Sequence, residues 1–492
     1  MDEPVQTDPA KKHAPTSLGR VLVLGLGKSG RAATAYLSAL IGDRVESVTV
    51  AAGDKTDAAL AFAESAQAAG ARVLFDHREI EGAYDVCVAS PGISQFSDFY
   101  RCAAKASTEI ISEVELAWRE SPADSRWVAV TGTNGKTTTT ALIAHVLDCA
   151  NVAAKAVGNI GDTCLEAVAA GGTDVFVAET SSYQLASTSL FAPEVAVVLN
   201  ITPDHLSWHR SFENYRDAKF KVLDNLSAVD GAVAVFDATD AVVREKVKQV
   251  RALGPTRGYA YVPLGSKAGL DASMREACGS ENAAYLDKGE LVVEFGGEVS
   301  RLCSTGDLKI KGMHNASNAL AAASAALALG VDAQRVGEGL QTFSPLEHRI
   351  EPCGTVAGVA LYNDSKATNV DATLHALDAF GAVKPIVLLG GDDKGTDLAE
   401  LVCAAERHCK AVVCFGAAGP RFFEAFAHAS LPVMQAPTLE PALDAALEAA
   451  EPGDVVVLTP ACASFDEFDS FEHRGRAFKG LVKRRAEQEG AD

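Results

Sequence analysis

The sequence predicts an α/β protein built from three domains, and three observations carry that prediction. Apolar, strand-like runs alternate with helical runs along most of the 492 residues, the pattern of parallel sheets covered by helices. Two of those strands run into glycine-rich turns that open helices, Gly25-Leu26-Gly27-Lys28-Ser29-Gly30 and Gly132-Thr133-Asn134-Gly135-Lys136-Thr137. A later group of strands, near Val359, Ile386, Val412 and Val455, reads as a further doubly wound sheet. A chain of 492 residues that is 48% hydrophobic is long enough for about three separate cores. The expected organisation is a disordered tail over 1–18, which holds three prolines and mixed charge, a Rossmann-like domain over 19–122, a central P-loop ATPase-type domain over 123–346 and a doubly wound α/β domain over 347–492.

The first domain opens with the apolar strand Arg20 to Leu24, followed by a G-x-G-x-x-G turn and an Ala-rich helix. Such a turn offers backbone N–H groups and a helix N-terminus to a pyrophosphate. A dinucleotide site also needs an acidic residue closing the next strand, but Val45 to Val50 is followed by Ala51-Ala52-Gly53, with Asp54 arriving late. That disfavours NAD and leaves another pyrophosphate ligand or a structural turn. The strand Asp85 to Ala89 ends in Ser90-Pro91-Gly92-Ile93 at the carboxyl edge of the same sheet, where open α/β sheets place ligands.

The central domain carries the strongest signal, Trp127 to Thr140, WVAVTGTNGKTTTT. Gly132 and Gly135 let backbone N–H groups close around phosphate oxygens, with Thr133, Asn134 and Thr138 in the same cradle. Lys136 supplies a point charge, and Thr137 supplies a hydroxyl for Mg²⁺ at the helix N-terminus. The first glycine of G-x-x-x-x-G-K-[ST] would fall at Val130, so the motif is incomplete, yet the strand before it and the helix after it predict a triphosphate site. The strand Asp174 to Ala178 then presents Glu179 at its carboxyl end, where a P-loop protein holds its metal. A second strand, Val195 to Leu199, leads into Asn200-Ile201-Thr202-Pro203-Asp204-His205 at the same edge. His205 and His209 are four apart, but no glutamate follows the first as in H-E-x-x-H, which argues against zinc. In Tyr215-Arg216-Asp217-Ala218-Lys219-Phe220-Lys221 a lysine reads, from the residues alone, as part of a solvated helix face.

A formal charge of −21 disfavours nucleic acid and anionic membrane as partners. No stretch reaches the roughly 18 apolar residues of a membrane span, and the polar N-terminus lacks a signal-peptide core, so a cytoplasmic protein without membrane insertion is expected. Eleven cysteines without a C-x-x-C pair read as reduced core residues.

Six motifs occur in order: GTNGKTT, the Gly158-Asn159-Ile160-Gly161 loop, ETSSYQL, NITPDHL, the YRDAK helix and Gly312-Met313-His314-Asn315-Ala316-Ser317-Asn318. With them the chain resembles the ATPase domain of the Mur ligases. The C-terminal segments LEHR at 346–349, NDSKATN at 363–369, GGDDKG at 390–395 and TPACASFD at 459–466 are similar to those of the D-glutamate-adding branch, and the likeness spans about residues 20 to 485. It implies a monomeric ligase of peptidoglycan precursor synthesis. ATP would phosphorylate the L-alanyl carboxylate of UDP-N-acetylmuramoyl-L-alanine, and the amine of D-glutamate would attack the acyl phosphate.

By position, the resemblance assigns Lys136, His205 and Lys219 to catalysis. Thr137, Glu179, His205 and Lys219, the last as a carbamylated lysine, would hold two Mg²⁺ ions. Asn318, Arg349, Asp364 and Lys366 would join the P-loop residues in binding ATP. Lys28, Ser29, Ser90, Pro91, Gly92 and Asn159 would bind the UDP substrate, and Thr368, Lys394, Ser464 and Phe471 would bind D-glutamate. The family's acidic residue at the end of the second strand is missing here, and residues 266–293 align with no motif. Within the same fold the alternatives are another Mur ligase or a folylpolyglutamate synthase-like enzyme. The Asp-Asn-Pro-Arg expected of a diaminopimelate-adding enzyme is absent, and a NAD-dependent oxidoreductase lacks its ribose acid.

Overall fold

The structure, a computed structural model, describes residues 6–53, 55–76, 80–265, 278, 280–310, 312–380, 383–393 and 395–489. Asp54 and Lys394 lie outside them, as do 266–277 and 279 of the unaligned stretch. The chain forms two compact units, Met1–Leu308 with Ser317–Thr342, and Lys309–Ala316 with Phe343–Asp492.

The first unit holds two sheets. One has parallel strands in the spatial order Arg72–Leu74, Val45–Ala51, Gly19–Leu24, Tyr84–Ala89 and Ser107–Ser112. This is the order of half a doubly wound fold, with the switch point between Gly19–Leu24 and Tyr84–Ala89. The inner strands are buried apolar runs such as Val21, Leu22, Val23 and Leu24, because helices cover both faces.

The second sheet runs Glu298–Ser304, Glu290–Phe295, Ala283–Asp287, Ala260–Leu264, Val233–Asp237, Val195–Val198, Arg126–Thr131, Val175–Glu179 and Ala154–Gly158. From Ala283–Asp287 to the opposite edge it is parallel, and the first three strands form an antiparallel meander. The end of the unaligned stretch therefore extends the central sheet. Its core centres on Trp127, which is fully buried and stacks on Phe176 with ring centroids 4.8 Å apart. Phe176→Ala is expected to cost about 3–5 kcal/mol, the range for an aromatic deleted from a packed core, read as a lower denaturant midpoint with the unfolding slope unchanged.

Where the sequence predicts a disordered tail over 1–18, the described part is instead fastened. Lys12 donates from Nζ to the Ser125 carbonyl at 2.5 Å and to Glu194 Oε1 at 2.6 Å, and Lys12 N bonds the Ser121 carbonyl at 2.8 Å. Ala14 is fully buried, and His13 stacks on Trp118. The physical reason is long-range pairing. Glu194 lies 182 residues from Lys12 and leaves no trace in the local composition.

Where the helix Glu113–Glu120 meets the helix Cys164–Ala170, Glu113 is 1% exposed and accepts from Leu165 N at 2.7 Å. Burial pushes its carboxyl from the ordinary 4.5 up to about 7, against the pull of that N–H. The folded pKa lies above the unfolded one, so the folded state keeps its proton through this window. The associated stability is present below the unfolded pKa and lost as pH rises through the folded one. Glu113→Gln removes the effect. Its stability relative to the parent, followed by thermal melting, is expected to climb between about pH 4.5 and pH 7 and then level off, a gain of about 3 kcal/mol.

The second unit contains a sheet in the order Glu351–Val356, Val359–Asn363, Val455–Ala461, Ile386–Gly390, Ala411–Phe415 and Val433–Gln435, antiparallel only at its first pair. Its strands include the four expected from the sequence. Among the described residues no helix is long and apolar enough to cross a membrane.

Candidate active site

The strand Arg126–Thr131 lies between Val175–Glu179 and Val195–Val198, so its carboxyl end meets both expected polar strand ends. The loop that follows turns sharply at Gly132 and Gly135, with φ of 153° and 82°. A Cβ on Gly135 would come within 2.6 Å of Asn318 Oδ1, so only glycine fits there. Asn200 holds the loop from the neighbouring strand end. Its carbonyl accepts from Thr133 N at 2.7 Å, and its Oδ1 accepts from Asn134 N at 2.8 Å. The Thr133 hydroxyl bonds Tyr215 Oη at 2.8 Å, and Lys136 Nζ donates to the Thr133 carbonyl at 2.8 Å. The helix Lys136–Cys149 starts from Gly135, which offers no side-chain cap. Its first-turn amides are thus suited to an anion. Thr137 is half-buried and Thr138 buried in that turn.

Three ionisable groups stand around this loop. Glu179 closes its strand 2% exposed. Oε1 accepts from Asn159 Nδ2 at 3.1 Å, whereas the enclosed Oε2 has no hydrogen-bond partner among the described residues. Lys219, on the helix Phe212–Phe220, is 2% exposed; its Nζ donates to the Gly132 carbonyl at 2.6 Å and lies 4.7 Å from the centre of the Tyr215 ring. Burial, helped by Lys136, drives its pKa well below the usual lysine range, and Asp204 and Glu179 only partly oppose that. The side chain read from the residues alone as solvated is thus among the most buried in the protein.

His205 has left-handed backbone with φ of 53°, is exposed and lies 3.5 Å from Asp204. It precedes the helix Leu206–His209 rather than sharing a face of it. His209 points inward, fully buried, with Nε2 2.9 Å from Ser182 Oγ. The two histidines therefore do not make a zinc pair.

The turns of the first sheet reach the same region. Lys28 Nζ donates to the Gly161 carbonyl, in the loop that contains Asn159. Trp208 Nε1 donates to the Pro91 carbonyl at 3.1 Å, and Ser94 Oγ bonds the Trp208 carbonyl at 2.8 Å. Ser90 is buried with no partner for Oγ among the described residues. Ser29 is half-buried, and Gly92 is exposed with open space where a Cβ would be.

In the second unit Asp364 is buried and accepts from Thr459 Oγ1 at 3.0 Å. Burial raises its carboxyl to about 7 despite Thr459 and the Arg349 charge. Lys366 Nζ lies 3.8 Å from the centre of the Phe471 ring, and Ser365 Oγ donates to the Phe471 carbonyl at 2.8 Å. Thr368 N bonds the Lys366 carbonyl at 2.8 Å, and Ser464 is buried with its carbonyl accepting from Phe468 N at 2.8 Å. Arg349 and Thr368 are half-buried. Lys394 cannot be added to this group, because it lies outside the described residues.

The description Mur ligase middle domain matches residues 130–326, and Mur ligase, glutamate ligase domain matches 348–462. The UDP-N-acetylmuramoylalanine--D-glutamate ligase of Thermoanaerobacter sp. (strain X514) is 36% identical over 471 residues, 94% of this chain and 98% of that protein. The chain belongs to the Mur ligase family. The ligase of the same description from Koribacter versatilis (strain Ellin345) is 36% identical over 482 residues, 96% of this Mur ligase and 98% of its relative. The fold is also that of MurF from Acinetobacter baumannii, with a TM-score of 0.59 at 17% identity, covering 94% of this chain and 93% of that one.

Sequence reasoning did not single out several residues of this Mur ligase that brace either its P-loop or its C-terminal motifs. Arg474 is 1% exposed, and its guanidinium donates to Ser365 Oγ at 2.9 Å and to the carbonyls of Ser365, Cys462 and Ala463 at 2.8, 3.0 and 2.9 Å. It ties two of the C-terminal motifs together. Burial lowers its pKa to about 10. Its one sequence signal is its place three residues after Phe471, on the same helix. Tyr215 and Asn200 were in view within motifs, but nothing local indicated that they brace the P-loop.

Proposed function

We propose that this Mur ligase joins D-glutamate to UDP-N-acetylmuramoyl-L-alanine at the expense of ATP, making a peptidoglycan precursor. The observation that carries the reading is the 36% identity to ligases of that description over 94% of the chain, with a buried carboxylate and a buried lysine flanking a P-loop. In this reading the phosphoryl group moves from ATP to the alanyl carboxylate, which turns a poor electrophile into an acyl phosphate. The D-glutamate amine then attacks, and phosphate leaves. Lys136 and the first-turn amides would stabilise charge on the transferring group.

The enclosed Glu179 Oε2, without a hydrogen-bond partner among the described residues, fits a divalent cation, with Thr137, His205 and Lys219 as further holders. Two Mg²⁺ ions there would screen the crowded anions. An ammonium at Lys219 does not suit that role, but the depressed pKa supports an uncharged amine, which can add CO₂ and release a proton to give an anionic carbamate. Lys28, Ser29, the 90–92 turn and Asn159 would receive the UDP substrate. Asn318, Arg349, Asp364 and Lys366 would join the P-loop on ATP, and Thr368, Lys394, Ser464 and Phe471 would receive D-glutamate. The proposal includes a cytoplasmic monomer with domains over 19–122, 123–346 and 347–492.

Amide product should form from UDP-N-acetylmuramoyl-L-alanine, ATP and Mg²⁺ with D-glutamate, and not with L-glutamate, glycine, L-alanine or diaminopimelate. Product with another amino acid of that panel and none with D-glutamate would overturn the assignment.

A further inference from the structure

We propose that Asp237, acting through Ser317, is a positioning residue for the nucleotide site: it fastens the helix Met313–Ala328 so that Asn318 stands against the P-loop. The inference rests on the reading of the P-loop and Asn318 as ATP-binding. Asp237 closes the strand Val233–Asp237, one strand removed from the P-loop strand. It is 7% exposed, and both oxygens are engaged. Oδ1 accepts from Thr239 N at 3.1 Å and from Thr239 Oγ1 at 2.5 Å, and Oδ2 accepts from Ser317 Oγ at 3.0 Å.

A buried carboxylate held by neutral donors is a costly way to end a strand, since an apolar residue would close it without desolvating a charge. What the carboxylate adds is a second acceptor. One oxygen shapes the turn that follows, and the other reaches a helix 80 residues later in the chain. Ser317 is the first residue of that helix belonging to the unit that contains the P-loop. The next residue, Asn318, accepts from Thr139 Oγ1 at 3.2 Å and stands 2.6 Å from where a Gly135 Cβ would be. Losing the Ser317 bond removes one of the ties that set where Asn318 stands, beside its bond with Thr139 Oγ1.

The test is steady-state kinetics on the full chain with ATP and the UDP substrate varied separately, for Asn318→Ala, Asp237→Ala, Asp237→Asn, Ser317→Ala and the double variant. Asp237→Ala and Ser317→Ala should each raise KM for ATP about tenfold, the scale of one buried hydrogen bond to a charged group. They should leave kcat and KM for the UDP substrate within about twofold. Asp237→Asn keeps an acceptor oxygen and should recover most of the loss, and the double variant should be no worse than either single one. A merely structural role would lower kcat through the folded fraction and leave KM for ATP unchanged, and that result overturns the proposal. If Asn318→Ala raises KM for ATP while the Asp237 and Ser317 variants do not, positioning is wrong and the nucleotide site stands. If Asn318→Ala leaves it unchanged, the nucleotide reading falls and takes the proposal with it.

Discussion

Replacing Lys219 by alanine is expected to lower kcat about a thousandfold, the loss typical when a charge-stabilising group is removed from an enclosed site, without unfolding the protein. The argument turns on the state of the amine. Lys219 is 2% exposed, its Nζ touches the Gly132 carbonyl, and burial and Lys136 both oppose protonation. A neutral amine is the form that reacts with CO₂, and the resulting carbamate reverses the sign of the side chain toward cations. Two further variants separate this from a simple cationic role. Lys219→Arg carries a positive charge that cannot be lost and cannot form a carbamate, so it should be as inactive as alanine. Short carboxylates such as formate or acetate should restore part of the activity of Lys219→Ala by entering the vacated space as an anion. Recovery in Lys219→Arg, with no rescue of the alanine variant by carboxylates, would show that a positive charge is what the site requires.

The second large effect is expected at Glu179. Glu179→Gln keeps the shape and the oxygen that accepts from Asn159 Nδ2, but it puts an amide nitrogen where Oε2 is enclosed with no partner among the described residues. An N–H donor facing a cation repels it. The apparent Mg²⁺ requirement should rise, and kcat at ordinary Mg²⁺ should fall by about a hundred- to a thousandfold. Stability should move the other way. Without metal, removing a buried carboxylate charge should raise the melting temperature. The further rise that Mg²⁺ with an ATP analogue gives the parent, through preferential binding to the folded state, should disappear in the variant. A variant that melts lower in both conditions would mean that Glu179 is structural.

These two residues also show where the sequence is readable. Glu179 is legible because a strand of buried apolar residues can end at only one edge of a parallel sheet, and a carboxylate at that edge beside a P-loop has a short list of uses. Lys219 is not legible in this way. On a nine-residue helix the charged positions do not reveal which face is covered, and only the family resemblance separated it from its neighbours Arg216 and Lys221. The fastening of residues 6–18 escaped for a related reason, since Lys12 meets Glu194 across 182 residues and local composition carries no record of such a partner. The inner strands that run into the glycine turns were legible, because burial on both faces writes continuous apolar runs into the chain, whereas edge strands such as Arg72–Leu74 and the meander over Ala283–Asp287, Glu290–Phe295 and Glu298–Ser304 were not. The polar braces Asn200, Asp237 and Arg474 have meaning only once their distant partners are in place.

The most direct test of the account follows the oxygen. UDP-N-acetylmuramoyl-L-alanine labelled with ¹⁸O in the alanyl carboxylate would be turned over with ATP, Mg²⁺ and D-glutamate, and the released phosphate analysed by mass. An acyl phosphate formed at the P-loop predicts one ¹⁸O atom in the phosphate for each amide bond made, because the carboxylate oxygen leaves with the phosphoryl group. Amide formed at the normal rate with unlabelled phosphate would contradict it.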